Sequence, residues 1–179
     1  VPFSPIADKH LPEHISGLVL GGGYPELYAE QLAANKELLQ EVKTAIDGGM
    51  PCFAECGGFM YLLERYCEGE KIYNWVGAVP GESAMTKKLT RFGYVHLTAQ
   101  QDNVLCRAGE KINGHEFHYS DSTNNGTGFL AAKASGRGSW ECATATPTLY
   151  AGYPHIHLWG NPEFARNFVQ HCCEFAAQL

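Results

Sequence analysis

The chain has 179 residues, 45% hydrophobic and 18% charged, enough to bury one full core and short of two average domains. A net charge of −6 argues against nucleic acid or an anionic membrane surface as the main partner, and no apolar run approaches the ~20 residues of a membrane span. Seven cysteines at irregular spacing, with no C-x-x-C, fit neither a disulfide framework nor a zinc site; free thiols in a reducing cytoplasm are expected.

Residues 1–14 carry three prolines and three charges without periodicity and read as a linker, leaving 15–179 as the domain proper. The opening Val1, not Met, suggests a piece cut from a longer protein, although tag removal or processing would give the same start. Leu18-Val19-Leu20 reads as a short buried strand that ends in three glycines, and Pro25 suits the first turn of a helix. Over 26–49, Leu27, Leu32, Leu38, Leu39, Val42 and Ile46 recur at helical spacing, in one helix or two, until Gly48-Gly49. A second short buried strand ends near Cys56, and a second helix is expected over about 58–66.

Strand, helix, strand, helix implies a parallel sheet with right-handed crossovers, whose ligands sit at the carboxyl ends of the strands. The glycine clusters 21–23 and 57–58 fall at those ends and would face one another if the strands are neighbours. Further on, 91–100 alternates like a strand, 111–123 reads as a strand after a turn, and 124–150 as short strands and loops. A short strand, a loop and a helix capped by Asn161, with Pro162 in its first turn, end the chain. The expected class is α/β, with a central sheet of some seven strands, mostly parallel or mixed, flanked by helices.

Cys56 stands where the second strand meets its helix, in Ala54-Glu55-Cys56-Gly57-Gly58. A tight strand-to-helix turn holds a side chain above the sheet, and the helix N-terminus favours a thiolate. The N–H of Gly57 could hold an oxyanion, and the absent Cβ atoms let a substrate approach. Ala54 replaces the first glycine of the usual G-x-C-x-G elbow. A second oxyanion donor could come from the backbone near Gly22 and Gly23; that loop lacks the Lys-Ser/Thr of a phosphate loop. A base is offered by His155 and His157, which share a face if the segment is a strand. They could instead pair on a metal with His115 or His118, but no metal is expected.

In this order, "LGGGYPE", "AECGGFMYL", "GHEFHYS" and "YPHIHLWGNPE" resemble the C-terminal glutamine amidotransferase domain of cobyrinic acid a,c-diamide synthases, a class I-like, triad-type group of the cobalamin pathway. The resemblance covers about 16–178. It implies a flavodoxin-like class I amidotransferase fold and hydrolysis of L-glutamine through a cysteine thioester. The ammonia would pass to an N-terminal ATP-dependent synthetase domain of the same polypeptide, which amidates the a and c carboxylates of cobyrinic or hydrogenobyrinic acid. ATP, Mg2+ and the corrin would be bound there; no cofactor is implied for the stretch 1–179.

Carried over by motif, Cys56 is the nucleophile and His155 the histidine that activates it, preferred to His157. Class I enzymes often place a glutamate two residues after that histidine, where this chain has His157, so the resemblance implies a dyad and leaves the orientation of His155 open. Glu55 could tune the site electrostatically. His115, Glu116 and His118 could line the mouth of the site or the face toward the synthetase domain, or be polar residues on the solvent side of a strand. The competing functions are a stand-alone cysteine hydrolase of the ThiJ type, with the same elbow, and an inactive regulatory module, against which Cys56 and His155 together speak.

Overall fold

The computed structural model describes residues 1–178. In the first half lie β1 (Leu18–Leu20), α1 (Ala29–Ala34), α2 (Lys36–Asp47), β2 (Cys52–Glu55), α3 (Gly57–Leu62), β3 (Leu63–Glu68), β4 (Lys71–Asn74) and β5 (Val79–Met85). There follow β6 (Arg91–Ala99), β7 (Lys111–His118), β8 (Ser120–Ser122), β9 (Phe129–Lys133), β10 (Ser139–Cys142), β11 (Thr144–Ala145), β12 (Leu149–Gly152), β13 (His155–Ile156) and α4 (Pro162–Ala176).

The sheet that carries the site has the order β1-β2-β12-β11, with β1, β2 and β12 parallel. Ala54 stands between Leu20 on one side and Ala151 on the other. Alternation along β2 sends Cys52 and Ala54 into one core and Phe53 into another. The first core lies under the helices, where α2 buries Leu38, Leu39, Val42 and Ile46. In the second, Phe53 stacks on Tyr150 with centroids 5.2 Å apart, enclosed by the sheet β10-β9-β6-β7-β13 and by Phe164 of α4. Both faces of β2 and β12 are therefore covered, as their nearly unbroken apolar sequences require, while β1 at the sheet edge leaves Val19 exposed.

The α/β class and the helical crossover from β1 to its parallel neighbour β2 are as expected, but α3 leads into a different sheet and the strands divide among three sheets. The middle of the chain folds as antiparallel pairs, β6 with β7 and β9, and β9 with β10, joined by short connections that cannot extend a parallel set. A mixed sheet, β4-β3-β5-β8, covers the end of α3. The helix expected over about 58–66 stops at Leu62. Leu63 turns extended (φ −65, ψ 165), and Tyr66 is buried in β3, stacked on Trp75 at 5.2 Å. Packing against β4 and β5 overrides the helical spacing there.

The helical stretch 26–49 breaks at Asn35, whose side-chain amide donates to Pro5 O at 2.9 Å and Asp8 O at 2.7 Å. The segment read as a linker is held on the domain by these bonds and by Phe3 and Leu11, which pack on the first core. Asn161 caps α4 as expected, its side-chain oxygen accepting from Glu163 N at 3.3 Å. All seven cysteines are free thiols, and no helix of the described residues is long and apolar enough to cross a membrane.

Candidate active site

Strand β2 ends at Glu55, and the chain enters α3 through Cys56, whose backbone sits at φ 52, ψ −109. A non-glycine residue in that region carries strain of about 1–3 kcal/mol, tolerated only where the surroundings dictate it. Here Cys56 N donates to Gly152 O at 2.9 Å, and Cys56 O accepts from Met60 N at 3.0 Å. The turn leaves the thiol half-buried at the carboxyl end of the parallel strands. By contrast Cys52, on the same strand, is fully buried, and desolvation pushes its thiol up to about 12.

The two glycine clusters touch. A Cβ on Gly57 would come within 2.9 Å of Gly23 N and 2.8 Å of Gly23 O, so the elbow and the first loop pack backbone to backbone. A Cβ on Gly22 would lie 2.5 Å from His155 Cε1. The first loop is thus a wall against which the imidazole rests, a role the sequence alone did not suggest.

His155 reaches the elbow because Gly152 of β12 stands opposite Glu55 of β2, and Tyr153-Pro154 turns the chain into β13, which pairs with β7. Glu55 grips this turn with both oxygens: Oε1 lies 3.2 Å from His155 Nδ1, and Oε2 accepts from Ile156 N at 3.1 Å. A carboxylate only accepts, so Nδ1 carries a proton and Nε2 is left for Cys56. The hydrogen bond to Cys56, then that to Glu55, raise the His155 pKa from 6.5 to about 10, against desolvation. Cys56, His155 and Glu55 are thus brought together in the arrangement that a nucleophile, a base and an orienting carboxylate would need.

Of the other candidates, His115 stands opposite His155 in the pairing of β7 with β13, and both line one groove with His157. His157 is exposed beyond the end of β13, with its N–H bonded to Asn113 O at 3.0 Å; the strand is too short to give it the face of His155. Glu116 and His118 do not line the mouth of the site, nor do they face solvent. They point inward, 2% and 7% exposed, while Phe117 and Tyr119 face outward at 49% and 44%. The pairing of Phe92 with Phe117 and Tyr94 with His115 puts aromatic rings on the outer face and sends the charged residues in. Tyr153, which stacks flat on His118 at 3.9 Å and meets the edge of Phe59 at 5.0 Å, was not singled out from the sequence.

A family model for the CobB/CobQ-like glutamine amidotransferase domain matches residues 1–163. Among curated relatives, the cobyrinate a,c-diamide synthase of Caldanaerobacter subterraneus is 42% identical over 179 residues, 98% of this chain and 39% of the relative. Those of Clostridium acetobutylicum and Salmonella typhimurium are 41% and 39% identical over 94% of this chain, and it spans 38% of each. Two solved structures share the fold: one described as a GMP synthase component from Thermoplasma acidophilum, and one described as a glutamine amidotransferase. The first has TM-score 0.56 and 19% identity over 97% of this chain and 80% of its own; the second has 0.61 and 15%, over 90% and 81%. On this match the chain belongs to the CobB/CobQ-like glutamine amidotransferase family.

Proposed function

We propose that this chain hydrolyses glutamine and feeds the ammonia to an ATP-dependent amidation carried out by the rest of a longer polypeptide. The observation that carries the reading is Cys56 on a strained elbow beside a histidine that Glu55 orients. The Cys56 thiolate attacks the amide carbon of glutamine. The carbonyl oxygen becomes an oxyanion held by Gly57 N–H and an N–H of Gly22 or Gly23. His155 protonates the amide nitrogen, the C–N bond breaks, and ammonia leaves a glutamyl thioester on Cys56. Water then gives a proton to His155 and attacks the thioester, releasing glutamate and the thiolate.

The acceptor is inferred from the relatives, which are named cobyrinate a,c-diamide synthases and are more than twice as long as this chain. The a and c carboxylates of cobyrinic or hydrogenobyrinic acid, with ATP and Mg2+, belong to that remainder. A reducing cytoplasm suits a reactive thiolate among six other free thiols. A glutamine-analogue alkylator tests the reading: it should label Cys56 alone among the seven cysteines, by peptide mass, and abolish glutamine hydrolysis in step. Inactivation without label on Cys56 would refute it.

A further inference from the structure

A groove of about 760 Å3 runs along β1 and is not used by the chemistry above. Five consecutive residues, 17–21, line it, together with the N-terminal segment 1–6 and the turn Pro25–Tyr28. Strand β1 is the last of its sheet, with β2 on one side and no strand on the other among the described residues. Leu18 N–H donates to Pro51 O, on the β2 side, at 2.8 Å. Backbone groups alternate along a parallel ladder, so Leu18 and Leu20 bond toward β2, and Val19 turns its N–H and C=O to the open edge. The N-terminal segment brings Pro2, Pro5 and Pro12 to the groove and makes no backbone hydrogen bond to β1.

Among the described residues, none that lines the groove has a charged side chain, in a chain that is 18% charged. Its lips are apolar and open: Tyr24 is 70% exposed, Leu27 69%, Val19 60%, Tyr28 48% and Ile6 43%. Apolar residues scattered singly on a surface need no explanation, but a contiguous, charge-free set rich in tyrosine has the composition of an interface core. An exposed sheet edge is normally guarded by lysine, by other charges or by a proline within the strand, and Leu18-Val19-Leu20 has none of these. An extended peptide meets both features at once. Its backbone supplies an acceptor and a donor to Val19, and its apolar side chains fill the groove beside the strand.

We propose that the groove holds an extended, uncharged, apolar segment from the remainder of the longer polypeptide, added as a strand at the open edge of β1. This rests on the reading of the chain as one part of such a polypeptide, since its curated relatives are more than twice as long and leave ample chain to supply the segment. Gly23, Gly57 and Gly58 also line the groove. A segment seated there therefore backs the loop and the elbow that carry the oxyanion donors of the proposed mechanism.

The test uses the full-length protein with a photoreactive phenylalanine derivative in place of Leu27, on the exposed lip. Irradiation should join position 27 to one apolar segment of the same polypeptide outside 1–179, mapped by peptide mass. Val19→Pro removes the outward N–H, which an edge strand tolerates, and should lower the cross-link yield about tenfold, the effect of one lost hydrogen bond. Ile6→Lys places a charge in the groove; it should lower the yield in the same direction and serves if Val19→Pro fails to fold. Deuterium uptake gives a second reading: the Val19 amide should exchange slowly in the unmodified full-length protein and about tenfold faster in Ile6→Lys. A cross-link between two copies overturns the proposal, as do undiminished yields in folded variants or free exchange at Val19 in the unmodified protein. Glutamine hydrolysis and labelling of Cys56 are measured separately, so none of these results touches the glutaminase reading, and the mass of the native polypeptide tests its length independently.

Discussion

Glu55 and His155 are a hundred positions apart in the chain, and their side chains meet at 3.2 Å. The carboxylate comes from the residue just before Cys56, so in the proposed mechanism one turn supplies both the attacking thiol and the group that aims its base. This removes the difficulty raised by His157, which stands where related amidotransferases often have glutamate: the carboxylate is present, but reaches the imidazole from β2. Glu55→Gln keeps the shape and an acceptor for Ile156 N but loses the charge. We expect turnover to fall by about ten- to a hundredfold with little change in KM for glutamine, because Glu55 holds the proton of His155 and the ring's aim for the chemical step and makes no contact needed to bind glutamine. Steady-state glutaminase kinetics check this; an unchanged kcat would reduce Glu55 to a structural clamp.

The two histidines are separated by their surroundings. His155→Ala should lower turnover by on the order of 10²–10⁴-fold, the usual worth of acid–base catalysis, and slow alkylation of Cys56 as well. His157→Ala, at an exposed position past the strand end, should leave both measures nearly unchanged. The opposite ranking would assign the base to the wrong residue.

The glycine loop gives a paired test. At Gly22 a methyl group would overlap His155 Cε1, whereas at Gly23 an added Cβ meets nothing within 4 Å. Gly22→Ala should displace the imidazole and lower turnover by about 10²-fold, the effect of an ångström's misplacement, with a normal thermal midpoint. Gly23→Ala retains the backbone N–H and should stay active. Equal tolerance of both changes would mean that the loop does not position His155.

A proton NMR titration of His155 reads the electrostatics directly. Its pKa of about 10 in the folded protein lies above the free value of 6.5. The contact therefore stabilises the fold fully below about pH 6.5, and that contribution is lost as pH rises through about 10. Cys56→Ala and Glu55→Gln should both lower the His155 value, Cys56→Ala more, since the bond to sulfur is the larger cause. A titration near the free value in the unmodified protein would remove the ion pair from the mechanism.

What was legible in the sequence is what local pattern controls. The apolar spacing of α2, the Asn161-Pro162 cap and the Cys56 turn each sit in one short window and fold as read; the run Leu18–Leu20 with its glycines is the expected strand, but an edge strand with Val19 exposed rather than a buried one. What was not legible depends on register between distant strands. Nothing near Glu55 shows that Gly152 lies opposite it, yet that pairing sends the carboxylate to His155. Polar residues in β7 look like a solvent face until the pairing with β6 turns Phe92 and Phe117 outward and Glu116 and His118 inward. The early end of α3 has the same origin, because Tyr66 finds better packing on Trp75 than another helical turn would give.

The proposed division of labour has Cys56 release ammonia for a reaction that another part of the polypeptide performs. Cys56→Ala in the full-length protein separates the two halves, assayed for amidation with glutamine and separately with ammonium salt as nitrogen source. Glutamine-driven amidation should disappear while ammonium-driven amidation continues at the unmodified rate. Glutamine-driven amidation that survives the substitution would contradict Cys56 as the source of the ammonia.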